Sequence, residues 1–134
     1  MSRVKAVGSA QVDSRKLALL CRDLAEKRKG ENIAVLDVRG LSTVTDYFVI
    51  VSGTSEPHLR AITEEIVQGL EKECGLQPHA IDGTSRAAWV VLDYFDVIVH
   101  VMRSDLRERY DLDGLWGDAK RVRGRRVLKL KKTS

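Results

Sequence analysis

Leu17, Leu20, Cys21 and Leu24 recur at three- and four-residue spacing, which predicts an amphipathic helix with Ser14 as its N-cap and Gly30 just past its end. The basic run Lys27-Arg28-Lys29 falls where it complements the helix dipole. Apolar and mixed positions then alternate from about Ile33 to Val38, as in a strand. The run Tyr47 to Val51 is dense in β-branched and aromatic residues and predicts a strand buried on both faces. "SGTSEPHLR" interrupts it: Gly53 permits a turn, Ser55 can cap a new helix, and Pro57 fits the first turn, where its missing N–H costs nothing. Leu59, Ile62, Ile66 and Leu70 mark one face of that helix, which Gly75 ends. A short strand at His79 to Ile81 closes on an Asp82-Gly83 turn, and "AAWVVLDYFDVIVHVM", residues 87 to 102, supplies two more strands. Ser104 is expected to cap a short helix carrying Leu106, after which Leu112, Leu115 and Trp116 pack back on the body. The order α-β-β-α-β-β-β predicts a single α/β domain: a mixed sheet of about five strands with flanking helices.

The chain has 134 residues, 43% hydrophobic and 31% charged, the balance of one globular domain. Its longest apolar run, Ala87 to Leu92, is far short of a membrane span, and its start has no apolar h-region, so the expectation is a cytoplasmic protein without membrane association. Cys21 and Cys74 lack any CxxC partner and read as reduced, apolar-facing thiols; no metal site is expected. The net charge of +4 conceals a division. Up to Ala119 fifteen basic residues face nineteen acidic ones, net −4, whereas the remainder carries eight basic residues and no acidic one. The expected organisation is therefore a flexible N-terminus at 1–13, a domain at 14–120, and a mobile basic tail at 121–134. In that tail Arg121, Arg123, Arg125, Arg126, Lys129, Lys131 and Lys132 are candidates to bind RNA phosphates by releasing counterions.

A search for chemistry begins at "SGTS", residues 52 to 55, because such a turn opening a helix can cradle phosphate, as in a nucleotidyltransferase. That reaction also needs carboxylates paired on one strand face to hold divalent metals. Asp93 and Asp96 are spaced D-x-x-D, which on a strand points them to opposite faces; Asp111 and Asp113 have D-x-D spacing but fall in a loop with no third carboxylate. Ser52, Ser55, His58, His79 and His100 define no nucleophile elbow or triad pattern. His58 reads as solvent-facing, and His100 as a histidine on the sheet face shared by Ile98 and Met102. No catalytic residue and no cofactor is expected.

"TDYFVIVSGTSEPHLRAI", "LDYFDVIVHVM" and "RERYDLDGLWGDAKRV" occur in this order, and together they resemble the ribosomal silencing factor (RsfS, or Iojap) family over about Ser14 to Val122. The resemblance implies a nucleotidyltransferase-like α/β fold without the active site. It also implies a non-enzymatic role: binding large ribosomal subunit protein fourteen, blocking joining of the small subunit, and damping translation when nutrients run short. The partner-binding residues expected on this basis are Trp89, Leu92, Asp93, Tyr94, Asp96 and His100. The tail's role does not carry over from the family; its charge alone suggests adjacent ribosomal RNA as a further partner, and an apolar face awaiting a partner is compatible with a weak homodimer in the free state. If Trp89, Val91 and Asp93 share one sheet face, alternation turns Val90, Leu92 and Tyr94 to the other. Phe95 departs from the family pattern, which usually has glycine there, and His58 stands where glutamine is common; a positive φ at Phe95 would be strained. The rival classes are a nucleotidyltransferase-like enzyme and a generic RNA-binding assembly factor.

Overall fold

A computed structural model describes residues 13–127. Helix α1 (Ser14–Lys27) leads into strands β1 (Glu31–Asp37) and β2 (Tyr47–Gly53), helix α2 (Glu56–Cys74), strands β3 (Ala80–Thr84), β4 (Trp89–Asp93) and β5 (Val97–Arg103), the short helices α3 (Ser104–Tyr110) and α4 (Leu112–Leu115), and a two-residue strand β6 (Lys120–Arg121). The strands form one sheet in the order β3-β4-β5-β2-β1-β6. Only β2 and β5 pair in parallel; every other neighbour is antiparallel. The sheet therefore has six strands among the described residues rather than five, since β6 contributes too few residues to show any alternation.

Strand period two sorts the side chains onto two faces. Val97, Val99 and Val101 of β5, with Val49 and Val51 of β2 and Val90 and Leu92 of β4, meet the apolar stripes of α1 and α2. Ile98 and Met102, with Phe48, Ile50, Leu36 and Ala34, point the other way, where Leu106, Leu112 and Trp116 partly cover them. Two strands at the sheet centre thus lie between layers, and every residue of β2 is buried, as the run Tyr47 to Val51 predicts.

Several local devices match the sequence and others depart from it. Ser55 caps α2 by accepting from the His58 N–H, Pro57 sits in its first turn, and Gly75 ends it in the left-handed region at φ 69°. Helix α1, however, is capped by Asp13, whose Oδ1 accepts from the Lys16 N–H at 2.9 Å; Ser14 is the first helical residue. Ser104 likewise begins α3 without capping it and donates its hydroxyl to the Gly53 carbonyl, 3.1 Å away. Asp82 and Gly83 lie inside β3, opposite Val91 and Val90, and the reversal falls at residues 85–88. Gly83 is at φ 78°, and a β-carbon there would lie 2.1 Å from the Trp89 carbonyl oxygen, so both the backbone and the close approach call for glycine. The turn signal was a close approach between strands.

The boundary expected at residue 120 falls within β6. Lys120 and Arg121 pair with Asp37 and Leu36, the Val122 N–H donates to the Val35 carbonyl at 2.8 Å, and Val122 and Val127 pack against the helix-side core. Arg22 donates to the carbonyls of Gly124 and Arg125, and the buried Asp23 carboxylate accepts from the Val127 N–H. The chain from 120 to 127 is strapped to β1 and α1 through its backbone, which leaves its arginine heads exposed, except that Arg121 and Arg126 lie 3.6 Å and 3.5 Å from Asp113 and Glu26. Lys129, Lys131 and Lys132 lie outside the described residues.

Candidate functional site

Of the six residues expected to meet a partner, β4 and β5 bring three together. Trp89, Val91 and Asp93 are half-buried on the face away from α1 and α2, and His100 of β5 stands opposite Val91. The Trp89 Nε1–H donates to His100 Nδ1 at 3.1 Å. An acceptor at Nδ1 requires the neutral ring protonated at Nε2, and burial favours that neutral form by lowering the His100 pKa to about 4. The indole is thus oriented by a partner that keeps its acceptor throughout the physiological range. Leu92 and Tyr94 face the helices and are buried in the larger core. The Tyr94 hydroxyl has no hydrogen-bond partner among the described residues, and burial raises its pKa. Asp96 is also buried, in the β4–β5 turn, where its carbonyl accepts from the Asp46 and Tyr47 N–H groups.

Phe95 adopts φ 70°, the left-handed conformation for which glycine is suited. Contacts on both its backbone and its ring hold it. The Phe95 N–H donates to Asp93 Oδ1 at 2.7 Å, and the ring lies against His79 with centroids 4.3 Å apart. Asp93 therefore uses one oxygen to fix the turn that carries Phe95.

Tyr110 belongs to this surface although its sequence position gave no hint of it. Helix α3 follows β5 without a loop and carries the chain back over the sheet, setting the Tyr110 ring 5.2 Å from Trp89 while leaving the residue 53% exposed. From there a row of rings runs across the face: Trp89 to His100 at 6.0 Å, His100 to Phe48 at 5.5 Å, Phe48 to Trp116 at 5.2 Å. Helix α3 meets this row at the Trp89 end through Tyr110 and α4 at the other through Trp116, and both tryptophans stay half-buried.

The groups that a phosphate-transfer reaction would use are engaged elsewhere. Arg107 lies across the end of β2, donating to both oxygens of Asp113 at 3.0 and 2.9 Å, to Ser52 Oγ at 2.9 Å and to the Asn32 carbonyl. Asp113, held below the usual carboxylate range by the Arg107 hydrogen bonds, is the partner of this arginine; Asp111 Oδ1 accepts from the Gly114 N–H at the start of α4. His58 is a staple. Its Nδ1 accepts from the Thr54 N–H, so its Nε2 donates to the Arg28 carbonyl at 2.8 Å and ties α2 to the end of α1. Cys21 and Cys74 are free and buried. Among the described residues no three His, Cys, Asp or Glu side chains converge as a metal site, and no helix is long and apolar enough to cross a membrane.

The fold and this surface define a class: a single α/β domain with an aromatic, acid-flanked face on its sheet. The comparisons narrow it. The family described as "ribosomal silencing factor during starvation" matches residues 11–134. The chain is 34% identical to the ribosomal silencing factor RsfS of Halalkalibacterium halodurans over 111 residues, 83% of this chain and 94% of that one. It is 42% identical to the RsfS of Bacillus subtilis over 94 residues, 70% and 79% of the two chains. A crystal structure of a Chromobacterium violaceum protein superposes with a TM-score of 0.75 at 25% identity, covering 90% of this chain and 98% of that one. The chain belongs to the ribosomal silencing factor family, RsfS, whose role is the regulation of translation.

Proposed function

We propose that this chain silences ribosomes by seating its Trp89 face on large-subunit protein fourteen, in the cytoplasm, so that its bulk excludes the small subunit and translation falls when nutrients are scarce. The observation that carries the reading is the half-buried indole of Trp89, oriented by His100 and flanked by Tyr110 and Asp93. An oriented aromatic beside a carboxylate is the composition of an interface hot spot, and the carboxylate suits a basic ribosomal protein. Occlusion of this kind needs no chemistry and no cofactor. The exposed arginines of 121–126, with Lys129, Lys131 and Lys132 beyond them, are placed in this reading against neighbouring ribosomal RNA, adding a salt-sensitive component.

Co-sedimentation with purified bacterial large subunits tests the proposal. Trp89→Ala is expected to cost about 2 kcal/mol, a roughly 30-fold loss of affinity, with the fold intact by circular dichroism. Wild-type protein that stays in the supernatant, or a folded Trp89→Ala variant that pellets like wild type, refutes it. Asp93 is better tested as Asp93→Asn, which keeps an oxygen acceptor for the Phe95 N–H.

A further inference from the structure

Strand β3 is the outer strand of the sheet next to β4, which carries Trp89, and four of its five residues are exposed. One edge of β3 is paired with β4; no described strand pairs with the other, along which alternate N–H and C=O groups point outward. Asp82, at its centre, lies opposite Val91. Strand period two places it on the same face as Trp89, Val91 and Asp93. It is diagonal to both Trp89 and Asp93, a spacing of about 7–8 Å. The exposed Asp82 forms no ion pair among the described residues. The edge of the face therefore carries an apolar strip, Trp89 and Val91, bracketed by two carboxylates beside an open backbone ladder.

This arrangement discriminates among occupants. RNA phosphates are repelled by Asp82 and Asp93. A second copy pairing antiparallel through β3 about its middle residue lays one Asp82 against the other, a like-charge pair that opposes it. An extended protein segment with a cationic side chain meets neither objection. We infer that β3 is a docking edge, along which a strand of a basic ribosomal protein pairs with Ala80–Thr84 and sets a lysine or arginine against Asp82. The inference rests on the reading that the Trp89 face binds the large subunit. It adds a mode of recognition, strand addition, and a specificity-determining residue, Asp82.

The test uses the full chain and purified bacterial large subunits, comparing wild type, Trp89→Ala, Asp82→Asn and Asp82→Lys by co-sedimentation at several salt concentrations. Hydrogen exchange of the wild-type complex is followed in parallel. Asp82→Lys is expected to bind about tenfold or more weakly and Asp82→Asn to fall between it and wild type, by loss of charge complementarity; amides of residues 80–84 should gain protection on binding. Asp82→Lys affinity within twofold of wild type, or unchanged exchange at 80–84 in the wild-type complex, overturns the inference. If Trp89→Ala has meanwhile lost binding, the broader reading survives and strand docking alone is rejected. No wild-type binding overturns both. A free wild-type dimer already protected at 80–84 rejects the ribosomal occupant in favour of a second copy.

Discussion

Replacing Arg107 with methionine keeps the aliphatic stem and removes a guanidinium that joins three segments. In the folded chain this side chain is 10% exposed and its partner Asp113 28% exposed. Its donors reach Asp113 twice, the buried Ser52 hydroxyl, and the Asn32 carbonyl in β1. Removing one partner of a fully buried pair costs about 3–5 kcal/mol. Asp113 can recover part of its hydration here, and methionine restores some packing, so about 2–3 kcal/mol is the expected loss. For a domain of this size that corresponds to a Tm roughly 10 °C lower. The loss has a defined pH dependence. The Arg107 hydrogen bonds hold the folded-state pKa of Asp113 below its ordinary value. The stabilisation is therefore fully present above the unfolded aspartate pKa of about 3.9 and is lost as pH falls through the lower folded value. Thermal and urea melts of both proteins at about pH 7 and about pH 2.5 should show the gap between them narrowing in acid. A Tm within about 2 °C of wild type, or a gap of equal size at both pH values, would refute the assignment of Arg107 as the clamp holding α3 and α4 on the sheet.

Phe95→Gly removes a left-handed phenylalanine at the cost of its ring contact with His79; with strain of about 1–2 kcal/mol relieved and some chain entropy lost, the variant should melt at or slightly above wild type, and a clearly lower Tm contradicts the strain argument. His100 titrates in the unfolded chain near pH 6.5 but in the folded one at about 4. Stability that depends on its neutral form is therefore whole above about pH 6.5 and declines as pH falls toward 4, by about 1–2 kcal/mol for this largely buried ring. His100→Gln should lose that slope, and urea midpoints across this range measure it. Tryptophan fluorescence of the folded wild type should respond to loss of the Nδ1 acceptor near pH 4; a midpoint near 6.5 would contradict the buried neutral histidine.

Where a local signal and a tertiary requirement coincide, the chain is easily read. Helix α2 has its Ser55 cap, its apolar stripe and Gly75, all set by nearby residues, and its described limits follow from them. Alternation in β4 and β5 separated Trp89, Val91 and Asp93 from Leu92 and Tyr94, which the paired strands reproduce. Other features depend on distant backbone. Strand β6 exists because Val35 and Leu36 offer an edge to residues 120–122, a relation with no period of its own. Asp82-Gly83 is a strong short-turn signal, yet Gly83 serves the approach of the Trp89 carbonyl and Asp82 lies within the strand, opposite Val91. Tyr110 reaches Trp89 only because α3 doubles back over the sheet. The Trp89 face was thus half legible: its strand residues follow from period two, and its rim does not.

The parallel pairing of β2 with β5 brings residues 47–53 alongside residues 97–103, about fifty positions later. During synthesis the most apolar strand of the chain waits, with one edge unclosed, until β5 has emerged. A chain whose central ladder spans such separation condenses slowly, because loop closure precedes any reward from the contacts. Until β5 is made, the edge of β2 that will pair with it has no partner, and an unpaired apolar edge is the feature that natural sheets keep covered against aggregation.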